Sequence, residues 1–279
     1  MTIFLSIKDS ERGKFFEKLK SQIGYSWEKF YPKYDISRAT FFNYLSGRKD
    51  IPKKLFLEWQ KLIGNFPISF KEEERQEYLP KSIPKISMDK KLSEIIGILN
   101  GDGHLSKVNY EVCVVGDLKE KNYFTYMKKL FEDKLGILFT LREEKAYYKL
   151  RCYCKELSEF LSRTYKLPKG NKLGKLKIPK AIKQNGTLLK SYIRGLYDTD
   201  GSFYIRRKKD PVVQITSADN SFLKEVRNAL VILGFTVSKG DQRVFIYDKK
   251  DVEKFFEEIK PANNKHLKKY QKYLKSGRE

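Results

Sequence analysis

Cysteine and histidine are nearly missing from this 279-residue chain, which has three of the first and two of the second. Cys113, Cys152 and Cys154 cannot build a disulfide framework, and with only His104 and His266 beside them a Cys/His zinc site is not expected. No run approaches the ~18 apolar residues of a membrane span, and the first ten residues lack the basic-then-apolar pattern of a secretion signal. Acidic side chains are also scarce, 35 against 58 basic ones, for a formal charge of +23. These absences argue against a secreted disulfide scaffold and a membrane protein. The expectation is a soluble, intracellular protein of the cytoplasm, nucleoid or an organelle. Apolar residues (40%) and aromatics (14%) suffice for packed cores, and the length accommodates two domains. So basic a chain makes a polyanion the first partner to consider.

The charge is unevenly spread. Residues 1–80 hold 15 basic and 11 acidic side chains, and residues 81–279 hold 43 and 24. The first stretch reads as a small all-α domain, residues 1–66. Phe15, Phe16, Leu19 and Ile23 have helical spacing and Gly24 is a stop. A short helix at 26–30 is expected to break at Pro32. Ser37 is a natural N-cap for 38–45, which closes at Gly47, and Ile51-Pro52 opens a helix through Leu55, Trp59 and Ile63. This succession resembles a repressor-type helix-turn-helix, which would put Arg38, Thr40, Asn43 and Arg48 on or beside the helix that reads DNA. Residues 67–89, with the acids at 72–74 and Pro80 and Pro84, read as a linker.

The remainder repeats itself. Ile95-Ile96-Gly97-Ile98-Leu99-Asn100-Gly101-Asp102-Gly103 recurs 98 residues later as Ile193-Arg194-Gly195-Leu196-Tyr197-Asp198-Thr199-Asp200-Gly201. Two strands, a helix closing at Gly136 or Gly234, two more strands, a helix and a Pro-x-x-x-Lys ending follow each copy. Each half, 90–185 and 186–279, is therefore expected to be αββαββα, and the fold class α+β. The basic tail from Lys260 is expected to form a helix near phosphates.

Gly97 and Gly195 lie inside apolar helices, where glycine costs ~1 kcal/mol relative to alanine. Close approach of the two motif helices explains them. Gly103 and Gly201 suit the position where a chain leaves a helix with positive φ. Asp102 and Asp200 then stand at the negative ends of their helices, unfavourable by ~0.3–1 kcal/mol each, and packing of the helices adds like-charge repulsion. A divalent cation is the natural compensation.

These paired sequences resemble the two LAGLIDADG motifs of a monomeric homing endonuclease, over roughly residues 90–275. The resemblance implies a pseudo-twofold α+β fold with two antiparallel saddle-shaped sheets straddling a long, nearly palindromic DNA duplex. It implies phosphodiester hydrolysis across the minor groove, leaving 3′ overhangs, with Mg²⁺ (Mn²⁺ able to substitute) held by Asp102 and Asp200 beside Gly101 and Thr199. Lys172 and Lys265 match the lysine placed near the active centre, with Lys169, Lys175 and His266 as competitors. Asn100 departs from the motif where the second copy has Asp198, which questions the symmetry of the two sites. The chain lacks the terminal residues expected of an intein, so a free-standing enzyme is expected.

Strand alternation points to the reading surface. In the second half Phe203 and Ile205 would pack inward, leaving Ser202, Tyr204, Arg206, Lys208, Gln214 and Thr216 on one face. In the first half Thr140, Arg142, Lys149 and Arg151 share the corresponding face. Such residue types suit major-groove contacts. Two rivals are a DNA-binding regulator that keeps the fold without cutting, and a maturase with intron RNA as its partner.

Overall fold

A computed structural model describes residues 2–64, 66–75, 82–207 and 209–276. The chain divides into two units, Met1–Tyr78 and Leu79–Glu279.

The first unit is not all-helical. It opens with β1 (Thr2–Ile7), followed by α1 (Asp9–Ile23), α2 (Trp27–Phe30) and α3 (Arg38–Leu45). Then come β2 (Ile51–Pro52), α4 (Lys53–Leu62) and β3 (Phe70–Arg75). The strands form an antiparallel sheet in the order β2-β1-β3, with Leu5 opposite Ile51 and Glu72. The alternation of Ile3, Leu5 and Ile7 is the sequence signal for β1. β3 has no such signal; its Glu72 is exposed and meets Lys53, Nζ to Oε1 at 2.6 Å. Phe15, Phe16, Phe30, Phe41 and Trp59 make an aromatic core. Gly24 and Gly47 end their helices with φ of 69° and 75°. Pro32 does not stop the chain's coiling, since its ring fits a 3-10 turn, Tyr31–Tyr34, directly after α2.

The linker expectation is corrected at both ends. Phe70–Arg75 is β3, residues 76–81 fall outside the described residues, and Ile83, Ile86 and Met88 pack on the core of the second unit.

The second unit contains α5 (Lys90–Asn100), β4 (Gly103–Leu105), β5 (Glu111–Asp117), α6 (Lys121–Leu135), β6 (Thr140–Glu143), β7 (Tyr147–Tyr153) and α7 (Lys155–Tyr165). A short α8 (Lys180–Lys183) leads to the second copy. That copy runs α9 (Gly186–Asp200), β8 (Gly201–Arg206), β9 (Asp210–Thr216), α10 (Asn220–Ile232), β10 (Ser238–Gly240), β11 (Arg243–Ile246) and α11 (Lys249–Glu258). α12 (Asn264–Ser276) has no counterpart. The two four-stranded sheets have equivalent orders, β4-β5-β7-β6 and β8-β9-β11-β10, and all pairs are antiparallel.

α5 and α9 pack backbone to backbone. A Cβ on Gly97 would lie 2.2 Å from the Tyr192 carbonyl oxygen, and one on Gly195 would lie 2.2 Å from that of Glu94. Glu94 and Tyr192 are themselves equivalent residues, so the contact repeats across a pseudo-twofold axis. Beside it the symmetry breaks. The buried Glu94 carboxylate accepts from Arg194 and, at 2.6 Å, from the Tyr126 hydroxyl. Gly103 and Gly201 do not have the positive φ expected of them, and Gly201 leaves α9 extended, with φ −91° and ψ 163°. They are required for space instead: a Cβ on Gly103 would meet the Leu99 backbone at 2.4 Å, and one on Gly201 the Tyr197 oxygen at 2.3 Å. α12 docks through Tyr270, stacked on Phe256 at 3.8 Å, and Lys268, Lys269, Lys272 and Lys275 remain exposed. Among the described residues no helix is long and apolar enough to cross a membrane.

Candidate active site

The C-terminal ends of α5 and α9 meet because small residues line the contact. A Cβ on Gly101 would lie 2.0 Å from Thr199 Oγ1 and 3.5 Å from Asp200 Cγ. Thr199 turns its hydroxyl back onto the Gly195 and Leu196 carbonyls (3.1 and 2.9 Å), so that its polar group is satisfied within α9. Asp200 is the last residue of α9 and Asp102 follows α5 by two residues. Neither carboxylate has a hydrogen bond or ion pair among the described residues. Packed protein around Asp200 and the charge of Asp102 disfavour its ionisation, and its pKa is pushed up to about 7 despite the lysines nearby. The pKa of Asp102 is raised as well, chiefly by the surrounding protein and further by Glu120, with Lys265 and Lys172 opposing.

Both expected lysines come to this place, with different partners. Lys172 Nζ donates to the carbonyls of Asn100 (3.1 Å), Gly103 (2.8 Å) and Gly101. It thus caps the negative end of α5. Burial lowers its pKa, and the charges of Asp200 and Asp102 work the other way. Gly101, expected beside a metal, has its carbonyl turned to this ammonium group. Lys265 Nζ instead pairs with Glu120 Oε1 at 2.8 Å. Of the competitors, Lys169 pairs with Glu159 at 2.6 Å, His266 is buried against Tyr197, and Lys175 is exposed, its backbone N–H donating to the Lys172 carbonyl.

Asn100 and Asp198, two residues before the acids, face inward and fasten the connecting segments. Asn100 Nδ2 donates to the Lys177 carbonyl (3.1 Å) and the Tyr192 hydroxyl (2.7 Å). Asp198 accepts from the backbone N–H groups of Ala262 (2.8 Å) and Asn263 (3.0 Å). A donor is needed at one position and an acceptor at the other, which accounts for the departure of Asn100 from the motif.

The meeting point opens into a groove of about 700 Å³ lined by Asp200, Gly101, Lys172, His104 and Thr216. Two residues here were not singled out as site residues by the sequence reading. His104 is exposed on β4, and its signal is its place two residues after Asp102 on a period-two strand. Glu120 belongs to a capping box with Asp117, a pattern visible as Asp-x-x-Glu.

Strand register brings the other predicted residues onto sheet faces. Thr140 is opposite Arg151 and Arg142 opposite Lys149. Lys149 and Arg151 are not free cations, because Glu111 on β5 pairs with them at 2.8 and 3.6 Å. In the second half Ser202 is opposite Gln214, and Tyr204 and Arg206 continue the same face. The Tyr204 hydroxyl donates to Gln214 Oε1 (3.2 Å) and Gln214 Nε2 to Thr216 Oγ1 (3.0 Å). Phe203 packs inward as expected, whereas Ile205 is 38% exposed because β8 is an edge strand. Lys208 lies outside the described residues. In the first unit Ser37 caps α3 through the Thr40 N–H (3.2 Å), Arg38 lies over the Phe42 ring, and Arg48 is exposed beyond the helix with Asn43 half-buried on it.

Comparison with known proteins finds that residues 187–260 match a family model described as a LAGLIDADG-like domain. A DNA polymerase from Thermococcus litoralis is 28% identical over 152 residues, which are 53% of this chain and 9% of that protein. The chain thus spans under a tenth of that relative. Among solved structures, the homing endonuclease I-DmoI in complex with DNA and Ca is 18% identical, with a TM-score of 0.45 over 61% of this chain and 88% of that one. The meganuclease I-SmaMI bound to uncleavable DNA is 15% identical, with a TM-score of 0.44 over 69% and 90%. The N-terminal LAGLIDADG domain of DUF199/WhiA is 17% identical, with a TM-score of 0.42 over 63% and 85%.

Proposed function

We propose that this chain, whose residues 187–260 match a LAGLIDADG-like domain, is a homing endonuclease of the LAGLIDADG type: a divalent-metal-dependent enzyme that cuts double-stranded DNA at a specific site. The observation that carries the reading is a pair of carboxylates, Asp102 and Asp200, brought together at the ends of two helices with no hydrogen-bond or ion-pair partner among the described residues. Such a pair fits Mg²⁺ or Mn²⁺, since Mg²⁺ binds through one or two carboxylates and completes its shell with water and substrate phosphate. Bound there, the ion would supply Lewis-acid activation of water and stabilisation of the departing 3′-oxygen. No third acid, histidine or cysteine joins them as a metal-holding group among the described residues, which leaves the remaining positions to water and phosphate.

The chain's own residues do the rest. Lys172 and Lys265 put positive charge on either side of the acid pair, where a phosphodiester would sit. Lys172 also neutralises the helix end that would otherwise repel that phosphate. Ser202, Tyr204, Arg206, Gln214 and Thr216 in one half, and Thr140, Arg142, Lys149 and Arg151 in the other, offer donors and acceptors to base edges. The pairing of Lys149 and Arg151 with Glu111 gives that half a mixed-sign face able to reject as well as attract.

The test is to select duplexes from a randomised pool by binding to the full chain, and then add Mg²⁺. Double-strand breaks with 3′ overhangs are expected. Asp200→Asn should retain binding and lose cutting by more than about a hundred-fold, since the ion supplies several kcal/mol of transition-state stabilisation. Tight binding without cutting by the unaltered protein would favour a DNA-binding regulator, a reading that draws support from the Ser37-capped, Arg38-bearing α3 of the first unit. Undiminished cutting by the variant would remove the assigned mechanism.

A further inference from the structure

We propose that a cleft between α10 and the β10–β11 hairpin is a second phosphate-binding site for DNA, separate from the cutting groove and present in the second half only. The cleft is a cavity of about 840 Å³. Lys224 and Arg227 line it from α10, Lys239 from β10 and Arg243 from β11, with Asn228 and Asp241 alongside. None of the four cations has a hydrogen bond or ion pair among the described residues. Around the predicted reading faces and the acid pair, by contrast, Lys149, Arg151, Lys169 and Lys265 are each tied to a carboxylate. Lys224, Arg227 and Lys239, with Arg243 at the rim, gather unpaired positive charge round one cavity beside a single carboxylate, and the ligand that relieves their repulsion is polyanionic. No aromatic ring lines the cavity, so it offers nothing for a base to stack on. The chemistry is that of phosphate groups.

The first half lacks this arrangement. Aligned by their buried positions, Phe124, Met127 and Leu130 of α6 correspond to Leu223, Val226 and Ala229 of α10. Thr125 then stands in place of Lys224, and Lys128 in place of Arg227. Lys128 is neutralised by Glu132 at 2.8 Å, where α10 has the exposed Val231. The cleft also meets the predicted reading face at its rim. Arg243 is opposite Thr216, so its side chain belongs to the face that carries Gln214 and Thr216. A duplex lying along that face would present its flanking phosphates at the cleft, a placement that rests on the function proposed above.

The experiment needs no knowledge of the cutting site. The full chain is titrated with a duplex of arbitrary sequence and about 30 base pairs across a series of salt concentrations, because each phosphate contact contributes about 0.9 to the slope of log affinity against log salt. Lys224→Ala combined with Arg227→Ala should lower that slope by about 2 and weaken binding about ten-fold or more at low salt. Both side chains are exposed and unpaired, so the fold does not depend on them. The charge-matched control, Lys128→Ala combined with Lys129→Ala, should leave the slope within about 0.5 of the original. An unchanged slope in the first variant, or an equal fall in the control, overturns the site. Failure to cut DNA with the slope change intact would instead reject only the nuclease reading.

Discussion

The two halves of the second unit share one scaffold and use it differently. Gly97 and Gly195 make the same backbone contact in reverse, and both sheets have the same strand order. One turn further on, the first half needs a donor (Asn100) and the second an acceptor (Asp198). Beside the acids, Lys172 spends its charge on helix carbonyls and Lys265 on Glu120. Backbone geometry is held in common because neither helix can change its spacing without the other. Side chains that bind a connecting segment have only that segment to satisfy, and have diverged.

The largest effect expected from breaking this comparison is an exchange of the inward polar residues. Asn100→Asp would set a carboxylate against the Lys177 carbonyl in a buried position and should cost about 3 kcal/mol, measured by denaturant unfolding. Asp198→Asn would leave one of two backbone donors unsatisfied, costing about 1–3 kcal/mol. No loss from either exchange would mean that donor or acceptor character does not distinguish the positions. Next come the glycines. Gly97→Ala and Gly195→Ala should each destabilise by about 1–3 kcal/mol through overpacking against a carbonyl, equally for both if the axis is true. Gly13→Ala in α1 meets nothing within 4 Å and should stabilise by about 1 kcal/mol. The last test concerns pH. Asp200 has a folded pKa of about 7, above its unfolded value, so the folded state holds its proton more tightly and stability without metal falls as pH rises from about 4 to 7. Mg²⁺ bound to the acid pair as proposed would displace that proton, and its affinity should then weaken about ten-fold for each pH unit below 7, by calorimetric titration. Burial raises Asp198 to about 7 as well, so Asp200→Asn should reduce the slope of the stability profile there without abolishing it; an unaltered profile would place the titration elsewhere.

Much of the architecture was legible because duplication doubles every signal. A glycine inside one apolar helix is ambiguous, but two at the same offset point to a contact between the helices. The meeting of Asp102 and Asp200 at the ends of the two helices was legible for the same reason. What remained hidden depends on partners far away in the chain. Glu111 shares a sheet face with Lys149 and Arg151 through pairing of β5 with β7, so the face looks uniformly basic until register is known. Lys265 meets Glu120 from the other half. In the first unit β3 carries Lys71, Glu72 and Glu73 in succession, and only the neighbouring β1 makes it a strand.

The buried Glu94–Arg194 pair has a consequence for how such a chain is assembled. If two copies of the first half met across the same axis, Ile96 would stand where Arg194 now stands, and two carboxylates would be buried without a cation. Two copies of the second half would set two half-buried guanidinium groups against tyrosine, with no carboxylate to meet either. Each half therefore rejects its own duplicate and accepts its sibling, so the covalent join between them has become a pairing rule written in charge.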